Sequence, residues 1–229
     1  MRWSVLPVVI VLLASCGDSA DSPSSVIGGG GMDWIDLPPP DLTGEAPLEE
    51  TLEKRRSIRE YSQQPLAKEE ISQLLWATQG FTSDAGQRTA PSAGGLYPLE
   101  VYLVTASGCY HYDPGQHRLE VMGTDDRRAS LSEAALSQVA VADGAGVLVI
   151  AAVYARTEGK YGGRAERYVQ LEAGHAAQNL LLQAVALELG AVPIGAFDDS
   201  AVQDVLGIPE DHAPLYLIPV GHPAAATGR

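Results

Sequence analysis

Apolar residues recur along this chain at two different spacings, and the switches between them predict where helices give way to strands. Leu48 to Arg56 has helical spacing, with acidic residues early and basic ones late, the order that a helix dipole favours. Ala67 to Gln79 predicts a second amphipathic helix with Ile71, Leu74, Leu75 and Thr78 on one face, Pro65 before it and Gly80 closing it. Glu100 to Thr105 alternates and is rich in strand formers. Cys109 to Met122 reads as a hairpin broken at Asp113-Pro114-Gly115. Leu131 to Val141 predicts a helix, and the continuous apolar run Gly146 to Tyr154 a strand covered on both faces. In Arg164 to Leu189, the residues Leu171, His175, Gln178, Leu182, Val185 and Leu189 fall at steps of three or four. Alanines and leucines fill much of the remaining surface, so this long helix is expected to be buried nearly all round. Leu215 to Val220 is a last strand. No internal repeat interrupts the pattern, and strands mixed with helices on both faces predict a three-layer α+β domain.

Composition narrows the function classes. Hydrophobic residues make up 45% and charged ones 19% of the 229 residues, which suits one folded domain and argues against disorder. The formal charge is −14, and an acidic surface repels nucleic acid and anionic lipid headgroups, so neither is an expected partner. Arginines therefore need local reasons, and three of the 15 basic residues crowd into Arg55, Arg56 and Arg59. Two cysteines and five scattered histidines show no zinc-ligand spacing, and no metal is expected.

The first fifteen residues have a different character. One positive charge at Arg2 precedes an apolar run from Val5 to Leu13, broken by Pro7 and too short to span a bilayer. Leu13-Ala14-Ser15-Cys16 then reads as a bacterial lipobox, with Cys16 as the lipidated residue. An ordinary signal peptide with a chance cysteine is the alternative. With the leader goes Arg2, its one charge, taking −14 to −15. Residues 16–46, rich in Ser, Gly, Pro and Asp, read as a flexible tether, with local docking of Trp34 and Ile35 left open. The expected organisation is a signal peptide over 1–15, the tether over 16–46, a folded domain over 47–223 and a tail over 224–229. The chain would be exported and held on a bacterial membrane through its lipid alone.

Four blocks in the folded part carry candidate chemistry. Arg55, Arg56, Ser57 and Arg59 offer guanidinium forks and a hydroxyl at a helix end, a set that suits a phosphate. A solvated last turn would use the same residues. Pro91-Ser92-Ala93-Gly94-Gly95-Leu96 has no bulky side chain for five residues, which lets backbone amides approach a flat ring or simply makes a turn. Lys160-Tyr161 sits among Gly159, Gly162 and Gly163 as a potential base and proton relay, or as an exposed pair in a polar loop. Pro193-Ile194-Gly195-Ala196 follows the long helix as a short connector. His175, Gln178 and Asn179 lie on or near one face of that helix, where polar groups are more often satisfied core residues than ligands.

In that order, from about Leu48 to Pro223, the four blocks resemble the SagB/ThcOx-type dehydrogenases, an FMN-dependent branch of the nitroreductase superfamily. The resemblance implies a nitroreductase-like α/β/α sandwich working as a homodimer with FMN at the interface. It implies that Arg55, Ser57 and Arg59 hold the phosphate and ribityl chain, with Arg56 beside them. Pro91 to Leu96 would line the ring, and Ser92 would donate to a flavin oxygen or to ribityl. Pro193 to Ala196 would set backbone N–H groups against N5 and the carbonyl edge. Other nitroreductases often carry Glu where this chain has Gly195, and the SagB/ThcOx branch commonly has Gly. Lys160 and Tyr161 match a Lys-Tyr pair that azoline-oxidising members need, and the stretch around His175 shapes the dimer core. Two departures stand out. Basic residues that other members supply near the C-terminus are absent except for Arg229, and an exported enzyme would be parted from the cytosolic cyclodehydratase that serves azoline-oxidising members.

The expectation is an FMN-dependent oxidoreductase passing hydride between N5 and a small organic substrate, with NAD(P)H or the substrate itself as electron donor. The alternatives are an NAD(P)H-dependent nitroaromatic or quinone reductase, and a flavin-less lipoprotein binding module on the same fold.

Overall fold

The computed structural model describes residues 33–225. The expected signal peptide, Cys16 and Arg229 lie outside the described residues. Among the described residues the chain folds around a seven-stranded antiparallel sheet. Its strands are β1 (Trp34–Asp36), β2 (Leu99–Thr105), β3 (Gly108–Asp113), β4 (Arg118–Gly123), β5 (Gly146–Ala152), β6 (Gly190–Ala191) and β7 (Ala213–Gly221). They lie in the order β1-β4-β3-β2-β5-β7-β6. The helices are α1 (Leu48–Lys54), α2 (Lys68–Gln79), α3 (Arg128–Ala134), α4 (Val139–Asp143), α5 (Ala155–Tyr161), α6 (Ala165–Ala186) and α7 (Asp199–Leu206).

The apolar run at β5 becomes the centre of the sheet. Its alternating side chains feed two cores, since successive strand residues point to opposite faces. Leu148, Ile150 and Ala152 join Leu74 and Leu75 of α2 and Val169, Ala173, Ala176 and Leu180 of α6. Val147, Val149 and Ala151 join Leu131 of α3, Val141 of α4 and Val202 and Leu206 of α7. This is the expected α/β/α sandwich, with the sheet between α2 and α6 on one side and α3, α4 and α7 on the other.

Three stretches fold differently from the sequence reading, and α5, β6 and α7 had no counterpart in it. Trp34–Asp36, inside the stretch read as tether, is an edge strand paired with Arg118–Glu120. The Arg118 guanidinium lies 3.6 Å from the centre of a Trp34 ring, and the Pro38 carbonyl accepts from the Ser72 hydroxyl, so the chain is anchored before residue 46. The single helix expected over Leu131 to Val141 is broken. Leu136 and Ser137 adopt φ of 57° and 58°, the Ser132 hydroxyl bonds the Gln138 carbonyl at 2.9 Å, and exposed Leu136 has no core to fill. The long helix is buried on one side only within this chain. Val169, Glu172, Ala173, Ala176, Ala177, Leu180, Leu181 and Ala184 face inward, while Leu171, His175 and Gln178 are exposed. Small alanines let the helix lie close to the sheet, which selects the alanine side over the predicted face.

Gly190, at the end of the turn after α6, sets the position of the arginine block. A Cβ there would lie 2.6 Å from Ile58 Cγ2 and 2.7 Å from its Cβ. The Ile58 amide donates to the Ala191 carbonyl at 3.1 Å, and Ser57 bridges Ala191 in parallel. Because Ile58 is stiff at χ1, it cannot swing aside. Gly190→Ala is expected to lower stability by about 1–3 kcal/mol, the usual cost of overpacking. Urea denaturation checks this, and an unchanged midpoint would show that the Ile58 contact yields freely.

Candidate active site

The structure gathers the candidate residues into two groups. The first brings the segment of Arg55, Ser57 and Arg59 alongside Ala191, two residues before the Pro193 to Ala196 connector. It is built by the parallel bridge at Ser57 and by Tyr61, whose hydroxyl lies within hydrogen-bond reach of the Ile58 and Pro219 carbonyls, at 2.7 and 3.0 Å. Burial holds the Tyr61 phenol well above its usual range, so it stays a neutral donor. Among the described residues Arg55 and Arg59 have no ion-pair partner, and the Ser57 hydroxyl has no hydrogen bond. Arg56 differs: its guanidinium turns back to the Glu53 and Arg55 carbonyls at 2.7 and 2.8 Å and closes the end of α1. In the connector, Ile194 is fixed by reciprocal bonds with Leu217 at 2.8 and 2.9 Å. Its amide is thus occupied, while the exposed amides of Gly195 and Ala196 have no partner among the described residues.

The second group is the glycine loop with Lys160 and Tyr161. Ser92 shapes the loop: its carbonyl accepts from the Gly95 amide at 3.1 Å and its hydroxyl oxygen from the Tyr97 amide at 2.9 Å. Ala93–Gly95 forms a single 3₁₀ turn in which Gly94 and Gly95 take φ of 65° and 67°, a region open to glycine. Lys160 and Tyr161 are not in a loop, as the flanking glycines suggested, but end α5. A Cβ on Gly94 would lie 2.7 Å from Lys160 Nζ and 2.9 Å from Tyr161 Oη, so two blocks separated by 65 residues of chain meet at this glycine. Tyr161 packs edge-on against Tyr168 at the start of α6, with ring centres 4.9 Å apart.

The groups sit towards opposite ends of α6. Tyr168 and Glu172 adjoin the glycine loop, whereas Leu181, Val185 and Leu189 line a cavity with Arg56 and Ile58. From Tyr168 to Val185 an α-helix extends about 25 Å. Among the described residues no hydrogen bond joins the two groups.

Gln138, Arg88 and Glu172 gave no periodic or motif signal. Gln138, beside the break between α3 and α4, donates from Nε2 to the Ala196 carbonyl at 2.9 Å and so holds the connector. Arg88 donates to Gln79 Oε1 at 2.9 Å, and its guanidinium stacks 4.7 Å from the Tyr97 ring centre. Asn179 donates to the Thr89 carbonyl at 3.2 Å, a structural use in keeping with the bland expectation for that helix face. Glu172, on the inward face of α6, is 2% exposed, and its Oε1 has no hydrogen-bond partner among the described residues. Burial pushes its carboxyl up to about 7, only partly offset by Ser92 and Arg88. The sequence reading passed over it, although an acidic residue set among alanines in a buried helix could have singled it out.

Residues 52–222 match the Nitroreductase family. The chain belongs to the nitroreductase family. A Methanocaldococcus jannaschii protein named a nitroreductase is 43% identical over 195 residues, covering 82% of this chain and 97% of its own. A crystal structure of a Ralstonia eutropha protein, also named a nitroreductase, matches at a TM-score of 0.75 and 33% identity, over 84% of this chain and 90% of that one. The NADPH:FMN oxidoreductase of Vibrio harveyi, solved with NAD+, matches at a TM-score of 0.59 and 25% identity, over 80% and 72%. This chain is therefore a nitroreductase-family oxidoreductase with the nitroreductase fold.

The raised Glu172 carboxyl has a consequence for stability. The folded chain keeps a proton that the unfolded chain releases near its ordinary value of 4.5. The associated stability is complete below that value and is lost as pH rises through about 7. Wild-type Tm should fall across this interval relative to Glu172→Gln, which cannot ionise. Parallel Tm profiles for the two proteins would show that Glu172 does not titrate there.

Proposed function

We propose that this nitroreductase-family member is an FMN-dependent dehydrogenase of the SagB/ThcOx type, acting on a small organic substrate as a homodimer and lipid-anchored through Cys16 outside the cytoplasmic membrane. The observation that carries the reading is the meeting of Lys160 and Tyr161 with Gly94, which sets a potential base and its relay against the loop meant for the ring. The residues present fit the cofactor. Among the described residues two unpaired arginines and a free serine hydroxyl suit a phosphate, Gly95 and Gly195 face open space, and the amides of Gly195 and Ala196 are unused.

FMN, when bound, accepts or returns a hydride and so carries two electrons between substrate and acceptor. Everything else falls to the protein. Arg55, Ser57 and Arg59 would grip the phosphate, and the Gly195 and Ala196 amides would stabilise negative charge on the reduced ring. Substrate oxidation also releases a proton from the atom beside the one that loses hydride. Lys160 would take it, directly or through the Tyr161 hydroxyl. Two features support a dimer: the roughly 25 Å of α6 between the two groups, and exposed Leu171 on the outer side of that helix. A second copy would bring its glycine loop to the first copy's arginines. Export separates the enzyme from cytosolic nicotinamides, which favours the substrate as electron donor. The Vibrio harveyi structure favours a second reading, an NAD(P)H-dependent nitroaromatic or quinone reductase.

Purified protein should be yellow or take up FMN on titration, and anaerobic mixing with NADH, NADPH and organic reductants should reveal the donor by bleaching. Bleaching by a nicotinamide alone supports the second reading, and colourless protein that binds no FMN leaves a flavin-less binding module. Arg55→Ala combined with Arg59→Ala should weaken FMN by about 1.5–3 kcal/mol for each charged hydrogen bond lost; unchanged affinity would remove both from the phosphate site. Lys160→Ala should retain flavin and slow its reduction by substrate about 10²–10⁴-fold, the usual contribution of a positioned base. Reduction at the wild-type rate would remove Lys160 from the mechanism.

A further inference from the structure

Glu172 is the one acidic side chain on the inward face of α6, amid Ala173, Ala176 and Ala177. Among the described residues its Oε1 has no partner, and leaving a buried polar atom unpaired is costly, so the position calls for a reason. Ser92 of the glycine loop lies against it. Charged groups on the surrounding elements are mostly engaged elsewhere. Arg88 donates to Gln79 and stacks on Tyr97, Arg156 of α5 pairs with Glu100 of β2, and Glu100 also binds His111 at 2.7 Å. Lys160 lies at Gly94, while Gln79, at the end of α2, is neutral. Of these charges only Arg88 acts appreciably on Glu172.

A serine hydroxyl has one hydrogen to give and two lone pairs to receive. The Tyr97 amide already takes one lone pair of Ser92. An ionised Glu172 can only accept, so the Ser92 hydrogen must point inward to it. A protonated Glu172 can donate to the remaining lone pair, which frees the Ser92 hydrogen to point out of the loop. We propose that Glu172 is a positioning residue that sets the direction of the Ser92 hydroxyl, and through it whether the glycine loop offers a hydroxyl donor to an FMN oxygen. The inference rests on the flavin reading above. Because burial brings the Glu172 carboxyl to about 7, both states are populated near neutral pH, and FMN binds more tightly on the acid side.

The test is FMN affinity of the full-length protein from about pH 5.5 to pH 8.5, read by quenching of flavin fluorescence, in wild type, Glu172→Gln and Ser92→Ala. FMN's phosphate also titrates in this range, but it does so equally in all three proteins and cancels in their ratios. Wild-type affinity should fall about three- to tenfold more from acid to alkaline pH than that of either variant, the worth of one neutral hydrogen bond. Glu172→Gln, whose amide always donates to Ser92, should stay at the tight level, and Ser92→Ala at the weak one. A Glu172→Gln or Ser92→Ala protein that keeps the full wild-type pH course overturns the inference while leaving FMN binding intact. A wild-type protein that binds no FMN at any pH overturns the flavin reading itself.

Discussion

The packing of the alanine face of α6 against the sheet is the constraint on which the rest depends. Ala173, Ala176, Ala177 and Ala184 have no bulk to hold the helix away, so α6 lies close to the central strands and cannot pivot. Its length then becomes a ruler. One end fixes α5 and the glycine loop through Tyr168 and Glu172, and the other delivers Gly190 to Ile58 and so places the arginine block. Moving either end would require unpacking the core.

This arrangement explains why the chemistry is divided. The first group offers cationic and amide donors suited to a phosphate and to the electron-rich edge of a reduced ring. The second offers a lysine, a phenol and a glycine surface, suited to a substrate losing a proton. On the proposed reading each is half of an oxidoreductase site, and α6 keeps the halves of one chain apart. Two copies related by a twofold axis would place one half of each against the other, giving two equivalent sites.

Much of this was legible in the residues. The period-two and period-3.6 runs gave the sheet and most helices because both faces of β5 had to be covered. The four blocks were visible as local composition. Contacts formed at a distance were not. Edge strand Trp34–Asp36 is only three residues long and is held by a partner 84 residues away, so no local pattern could declare it. The break at Leu136 and Ser137 goes with a short bond from Ser132 to the Gln138 carbonyl and a tertiary bond from Gln138 to Ala196, whereas the apolar spacing there is compatible with a continuous helix. Glycines around Lys160-Tyr161 suggested a loop, but α5 forms because Thr157 is buried and its amide and that of Glu158 bond the Tyr154 carbonyl. For α6, spacing showed that apolar residues surround the helix. Which side this chain would keep for itself depended on the shape of the sheet beneath it.

Subunit complementation tests most directly whether the site is shared between two copies. Arg55→Ala/Arg59→Ala disables the first half, and Gly94→Val, which forces a side chain at positive φ into Lys160 and Tyr161, disables the second. Each protein alone should bind FMN poorly. After the two are unfolded together and refolded, mixed dimers should regain one tight FMN site, because one of their two sites draws both halves from undamaged surfaces. Mixed dimers, isolated by differential tags, that bind no more flavin than either parent would contradict a site shared between copies.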